Sequence, residues 1–220
     1  MNTALILLAR QAEFLPFLSR RQGFKNNSRK EINFFQLPLG DFHLRILAVG
    51  SRPESIHRRV DSLPADWLRK PVLFLGTAGA LTDELKTYSL FLADEIVSAK
   101  DGSRLAINNR SVINRSLLQQ LAPDFSTNSS LLTSSKPLLD RSSRLQAGQQ
   151  YQSQAVDLEA VHIYKALRNH QDDLSFTCLK IISDGLDDSQ YATVLEQQKP
   201  ALEKLWDIIL SNPDLFQLNK

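Results

Sequence analysis

The residues best placed for acid–base chemistry lie in Ala155 to Asp188, AVDLEAVHIYKALRNHQDDLSFTCLKIISDGLDD. The apolar residues Ala160, Ile163, Tyr164 and Leu167 recur at i, i+3, i+4, i+7 spacing, which predicts a helix whose first turn carries Glu159. The apolar pair Ala155-Val156 before it reads as a short strand. A second apolar run, Phe176 to Ile182, reads as a strand covered on both faces, and it stops at Ser183-Asp184-Gly185. Glu159 and Asp184 therefore both follow strands. In open parallel α/β sheets, ligands bind outside the carboxyl ends of the strands, so acids at those ends are candidates for proton transfer or for binding hydroxyls. Each also has a plain structural reading. Glu159 would stabilise the start of its helix through the dipole, and Asp184 would cap the next helix.

Leu5 to Ala9 reads as a first core strand, followed by Arg10-Gln11-Ala12-Glu13 and a helix carrying Phe14, Leu15, Phe17 and Leu18. Glu13 repeats the strand-then-acid arrangement, although alone it reads as a solvated residue of a first helical turn. Val72 to Leu75 reads as a short buried strand running into Gly76-Thr77-Ala78-Gly79-Ala80, a turn of small residues where backbone approaches a ligand closely. That turn lacks the Gly-Lys-Ser/Thr of a P-loop and the GxGxxG of a dinucleotide site. GxSxG is absent around Ser183, which sets serine-hydrolase chemistry aside. His43, His57, His162 and His170 show no metal-ligand spacing, so no metal site is expected.

The remaining elements must position these groups. Ile32 to Leu37 and Phe42 to Val49 read as strands joined by a hairpin at Pro38 to Asp41. Gly50-Ser51-Arg52-Pro53-Glu54 leads into a helix with Pro53 in its first turn. Leu90 to Val97 is a further strand and Ser111 to Leu121 a helix. Arg20 to Lys30 reads as a solvated basic loop, and Asp124 to Pro137 as mainly loop with a short strand at Leu131-Leu132. Leu202, Leu205, Trp206 and Ile209 mark one face of a C-terminal helix.

Composition narrows the classes. The 220 residues are 42% hydrophobic and 23% charged, as in an ordinary globular protein, and no linker, repeat or heptad divides them, so a single domain over residues 1–220 is expected. A net charge of +2 gives no pull toward nucleic acid. The apolar run Ala4 to Ala9 is too short to span a bilayer and lacks a basic lead or cleavage site, so no membrane role is expected. Cys178 is the only cysteine and sits in an apolar run, which excludes an intramolecular disulfide and fits a cytoplasmic, reducing location.

VDLEA at Val156 to Ala160, IISD at Ile181 to Asp184, GTAGAL at Gly76 to Leu81 and the acid after the first strand resemble the nucleoside phosphorylase/nucleosidase superfamily. The likeness is to methylthioadenosine/S-adenosylhomocysteine nucleosidase and to the futalosine hydrolase and hopanoid-associated nucleosidase/phosphorylase branches, over nearly the whole chain. It implies that Asp184, with Ser183 beside it, protonates or hydrogen-bonds purine N7, that Glu159 binds the ribose hydroxyls, and that Glu13 activates water. Leu158 would take the place of a methionine beside the sugar. Thr77, Ala78 and Gly79 would flank base and sugar, and Leu138 and Leu139 line the base pocket. The chain also departs from the family, with Thr87-Tyr88-Ser89 where many members carry Val-Gly-Asp, and Gly50-Ser51-Arg52 for Gly-Ile-Gly. The positions of the phosphate-binding arginines of phosphorylases fall on Phe14 and Phe74, which disfavours phosphate as nucleophile. Arg10 and Arg52 follow strands and remain possible contacts to phosphate or to a 5′ group.

Together these readings predict an α/β three-layer sandwich around a central mixed, mostly parallel sheet. The expected activity is hydrolysis of the N-glycosidic bond of an adenine-bearing, 5′-modified nucleoside, with no cofactor. Asp184 would hold or share a proton, and Glu13 stay ionised to accept one from water. The alternatives are a phosphorylase using Arg10 or Arg52, and a nucleoside-binding protein that kept the pocket and lost turnover. The partner is a small-molecule nucleoside, and the resemblance implies a homodimer.

Overall fold

The computed structural model describes residues 2–29, 32–40, 42–107, 113–122, 126–186 and 191–216. Among them, ten strands form one sheet: β1 (Asn2–Leu8), β2 (Lys25–Arg29), β3 (Ile32–Leu39), β4 (Phe42–Ala48), β5 (Val72–Ala80), β6 (Leu90–Ser98), β7 (Arg104–Ala106), β8 (Ser126–Thr133), β9 (Ala155–Asp157) and β10 (Phe176–Asp184). The helices are α1 (Leu15–Leu18), α2 (Pro53–Asp61), α3 (Ala65–Leu68), α4 (Arg115–Leu121), α5 (Arg141–Tyr151), α6 (Ala160–Arg168) and α7 (Tyr191–Ser211).

Strand β5 is the junction. On one side it leads through β1, β4 and β3 to the edge strand β2, and on the other it closes a ring with β10, β6, β8 and β9. The run β10–β5–β1–β4 is parallel throughout, whereas β2–β3, β3–β4, β5–β9 and β6–β10 pair antiparallel. The sheet is thus mixed, with its parallel part in the middle.

Side chains alternate across that middle as the two-residue period of a strand requires. Leu5 and Leu7 of β1 join a core with Ile56 and Val60 of α2 and Ile163 and Leu167 of α6. Ala4, Ile6 and Leu8 join the opposite core with Leu118 of α4 and Leu205, Trp206 and Ile209 of α7. Burying one such Leu or Ile contributes about 1.5–3 kcal/mol, so a strand apolar on both faces is stable only between two helical layers. The three-layer sandwich follows from that pattern.

The structure changes several expectations. Gly76 to Ala80 is not a turn but the second half of β5, because β10 pairs with it as far as Gly79 and β9 pairs with Gly79 and Ala80. Within Arg20 to Lys30, Lys25–Arg29 is the edge strand β2, and its polar residues suit a rim that must not recruit another strand. Within Asp124 to Pro137, strand β8 runs from Ser126 to Thr133, held between β6 and β9. The helix expected over Ser111 to Leu121 begins at Arg115, capped by Asn114 Oδ1, which accepts from the Leu117 N–H at 3.1 Å; residues 111–112 lie outside the described residues. The hairpin turns at Gly40 with φ +56°, and Asp41 lies outside the described residues.

Tyr88 has φ +69°, a left-handed conformation that a bulky residue adopts only under constraint. Its N–H donates to Ile182 O at 2.7 Å and its carbonyl accepts from Lys204 Nζ at 3.0 Å, so the loop is tied to the end of β10 and to α7.

Helix α7 reaches back to the first strand. The buried indole of Trp206 donates from Nε1 to Glu13 O at 2.7 Å, which fixes the short 3-10 turn Gln11–Glu13 after β1. Replacing Trp206 with Phe keeps most of the packing but leaves that carbonyl without its donor, at an expected loss of about 1–3 kcal/mol. Trp206→Ala adds a cavity and should cost about 3–5 kcal/mol. Urea unfolding checks both, and a Trp206→Phe protein as stable as the parent would show that the bond fixes nothing.

Candidate active site

A cavity of about 260 Å³ opens at the carboxyl ends of β1, β5, β9 and β10, a little below the roughly 300–1,000 Å³ common for small-molecule sites. Arg10 and Glu13 enter it from the end of β1, and Thr77, Ala78 and Gly79 from β5. Leu158 and Glu159 follow β9, and Ser183 and Asp184 end β10; all of these line it. Leu138 and Leu139 line it too. Arg52 does not: it is the exposed N-cap residue of α2, and its neighbour Ser51 lines the cavity instead.

Glu13 is buried rather than solvated. The turn after β1 folds its side chain back so that Oε2 accepts from the Ala9 N–H at 3.0 Å, while Oε1 lies 3.5 Å from Arg10 Nε. Burial pushes its carboxyl above the ordinary value, an effect opposed by the charges of Lys180 and Arg10 and by the backbone N–H groups. Arg10 also donates to Gln198 Oε1 of α7 at 3.2 Å, at the mouth of the cavity.

Lys180 and Asp157 were missed by the sequence reading, and they form the buried centre of the site. Lys180 lies mid-strand in β10 with 1% exposure, its Nζ 3.0 Å from Asp157 Oδ2 and 3.6 Å from the centroid of the Phe74 ring. Burial works against the ammonium, but the charge of Asp157, with lesser help from Cys178 and Glu159, raises its pKa above the ordinary lysine value. A lone lysine inside the run FTCLKIIS was the available signal, since lysine is hardly ever fully buried unless paired. Asp157 is fully used by the protein: Oδ1 accepts from Thr133 Oγ1 at 2.8 Å, and Oδ2 from the Ala160 N–H at 3.1 Å as well as from Lys180.

The start of α6 is therefore held by Asp157, not by the dipole contact expected of Glu159. Glu159 is the N-cap residue, just before the first turn, and its side chain makes no capping bond. It faces the cavity instead, and burial, followed by the charge of Asp157, pushes its carboxyl up to about 7.

Asp184 closes the other end. Its Oδ1 accepts from Ser183 Oγ at 2.6 Å and its Oδ2 from Arg144 Nη2, in an ion pair hidden from solvent. Arg144 is a further residue that the sequence reading missed, because helix α5 is polar nearly throughout and shows no apolar face; its one signal is the cap, with Asp140 Oδ1 accepting from the Ser143 N–H at 2.8 Å. Gly79 is required here: a Cβ would stand 2.8 Å from Asp184 Oδ2, so only glycine lets β5 pass this close to the carboxylate. At Gly76 a Cβ would stand 3.3 Å from Lys180 Nζ and 3.9 Å from Glu13 Oε2. Glu13 and Lys180 thus lie at one end of the Gly76-Thr77-Ala78-Gly79 segment and Asp184 at the other, roughly 10 Å apart at about 3.3 Å per residue. Among the described residues, no cluster of His, Cys, Asp and Glu has the form of a metal site, and no helix is long and apolar enough to cross a membrane.

No protein-family model matches the sequence, and no curated protein matches it either. Solved structures do match. A futalosine hydrolase mutant of Helicobacter pylori strain 26695 superposes with a TM-score of 0.78 at 14% identity, covering 97% of this chain and 99% of that one. The 5′-methylthioadenosine/S-adenosylhomocysteine nucleosidase of Colwellia psychrerythraea in complex with adenine gives 0.79 at 15% identity, over 99% and 97%. The corresponding nucleosidase of S. pneumoniae, with a transition-state inhibitor, gives 0.76 at 12% identity, over 97% and 99%. The fold of this chain is the one these nucleosidases and the hydrolase share.

Proposed function

We propose that this protein is a purine nucleosidase, which hydrolyses the N-glycosidic bond of an adenine-bearing nucleoside modified at its 5′ end. One observation carries the reading: Glu13, Glu159 and Asp184 converge on one cavity, with Glu13 and Asp184 at opposite ends of a segment about as long as a sugar joined to a base. Support comes from the shared fold, since structures of that fold are described as nucleosidases complexed with adenine or with a transition-state inhibitor.

The chemistry needs that arrangement. As the C1′–N bond breaks, its electron pair leaves with the base, and positive charge builds on the ribose as in other oxocarbenium reactions. Water adds its oxygen to C1′ and gives its proton to Glu13, which Lys180 and Arg10 help to keep ionised. Glu159 holds the ribose hydroxyls close to the developing cation. Asp184 enters the reaction protonated and gives that proton to the departing base nitrogen, leaving a neutral base and an Asp184 carboxylate paired with Arg144. The proton taken by Glu13 passes to solvent, and Asp184 is reprotonated from solvent for the next turnover. Phosphate finds little to bind beside Phe74, whose ring is already covered by Lys180, and Arg10 is engaged with Glu13 and Gln198.

Incubation with 5′-methylthioadenosine and a panel of adenine nucleosides, with and without phosphate, should release free adenine and a reducing sugar in both conditions. Ribose 1-phosphates as the main products would reject hydrolysis, and tight binding with no base release would mark a binding protein. Glu13→Gln and Asp184→Asn should each lower kcat by about 10²-fold or more while the fold survives. Because Glu13 acts as a base, its ionised form is required, and a raised pKa means that this form is lost at a higher pH than for an ordinary glutamate. The acid limb of kcat/KM should therefore lie above the usual 4.5 of a glutamate, with Glu159 contributing to the same limb. A limb at the ordinary glutamate value would remove Glu13 from the mechanism.

A further inference from the structure

Arg144 is a buried cation that the proposed chemistry leaves unused. It lies in the first turns of α5, where the helix dipole disfavours positive charge, so the stability of its own helix does not explain it. Its contacts do. Nε donates to Leu138 O at 2.8 Å, Nη1 to Gly185 O at 2.6 Å, and Nη2 to Asp184 Oδ2, with the arginine side chain only 2% exposed. Leu138 belongs to the cavity wall that precedes α5, and Gly185 follows β10, so one rigid guanidinium fork joins both walls at the base end. With Ser183 Oγ on Oδ1 and Arg144 on Oδ2, the Asp184 carboxylate has no freedom to rotate, and its remaining lone pairs keep a fixed direction.

We propose that Arg144 is a positioning residue for the reaction: by clamping Asp184 Oδ2 together with the Leu138 and Gly185 carbonyls, it holds the Asp184 carboxylate in the orientation that meets the leaving base. This rests on the nucleosidase reading and deepens it. A purely structural arginine would act on stability and on KM. A positioning one acts on kcat, and only through Asp184.

The test is steady-state kinetics with 5′-methylthioadenosine on the wild type, Arg144→Met, Arg144→Lys, Asp184→Asn and the Arg144→Met/Asp184→Asn double variant, with folding checked by circular dichroism. Arg144→Met should lower kcat roughly 10–100-fold, as small misplacements of catalytic groups do, with KM changed far less. Arg144→Lys keeps the charge but not the fork, and should recover part of the loss. In the Asp184→Asn background, Arg144→Met should remove little more, because both changes act through one group. An unchanged kcat in a folded Arg144 variant, a rise in KM alone, or losses that multiply in the double variant would each overturn the inference. If Arg144→Met does not fold, Arg144→Lys decides, a reduced kcat supporting the proposal and a wild-type kcat rejecting it. Wild-type turnover is measured first, because its absence on every nucleoside rejects the nucleosidase reading itself and this inference with it.

Discussion

The site depends on one buried ammonium. Removing a charged group from water costs several kcal/mol even after the protein relaxes, and Lys180 of β10 is tolerated only because Asp157 lies 3.0 Å away and the face of Phe74 lies against it. Its charge in turn counters the burial of Glu13 and Glu159, which would otherwise be driven further toward their neutral forms. Loss of Lys180 would leave three acids in one cavity without their common counterion. The same pairing separates two acids only two positions apart. Asp157 is held by Lys180, Thr133 and the start of α6, which leaves Glu159 directed at the cavity.

Holding these charges together requires the backbone to come close, and β5 supplies that. Because β5 lies between β1 and β10 in the parallel run, its carboxyl end passes between Glu13 on one side and Asp184 on the other. At Gly79 there is no room for a side chain, and at Gly76 little. Small residues there serve close approach to the protein's own carboxylates and ammonium as much as to any ligand. The Asp184 end is balanced separately, by the Arg144–Asp184 pair, so the cavity holds two charge clusters instead of one continuous acidic surface.

Much of this was legible in the residues. The two-sided apolar runs at β1, β5 and β10 demanded a sheet between helical layers, and the acids following β1, β9 and β10 do meet in one place. What was not legible depended on partners distant in the chain. GTAGA has the composition of a turn and becomes strand only because β9 and β10 pair with it. Strands β2 and β8 are largely polar, and pairing, not hydrophobicity, makes them strands. Helix α5 carries almost no apolar periodicity, so neither it nor Arg144 stood out. Lys180 gave a signal, a single charge within an apolar strand, that identifies a paired residue without naming its partner. Arg52 stood one residue too far along, and its neighbour Ser51 faces the cavity instead.

The mechanism turns on which end of the cavity holds the base and which the sugar. A crystal structure of the Glu13→Gln protein with 5′-methylthioadenosine addresses it most directly. The adenine edge should lie against Asp184 and the ribose hydroxyls at Glu159, with C1′ turned toward residue 13 and room for a water between them. A nucleoside bound in the reverse sense, with its sugar at Asp184, or bound outside this cavity, would contradict it.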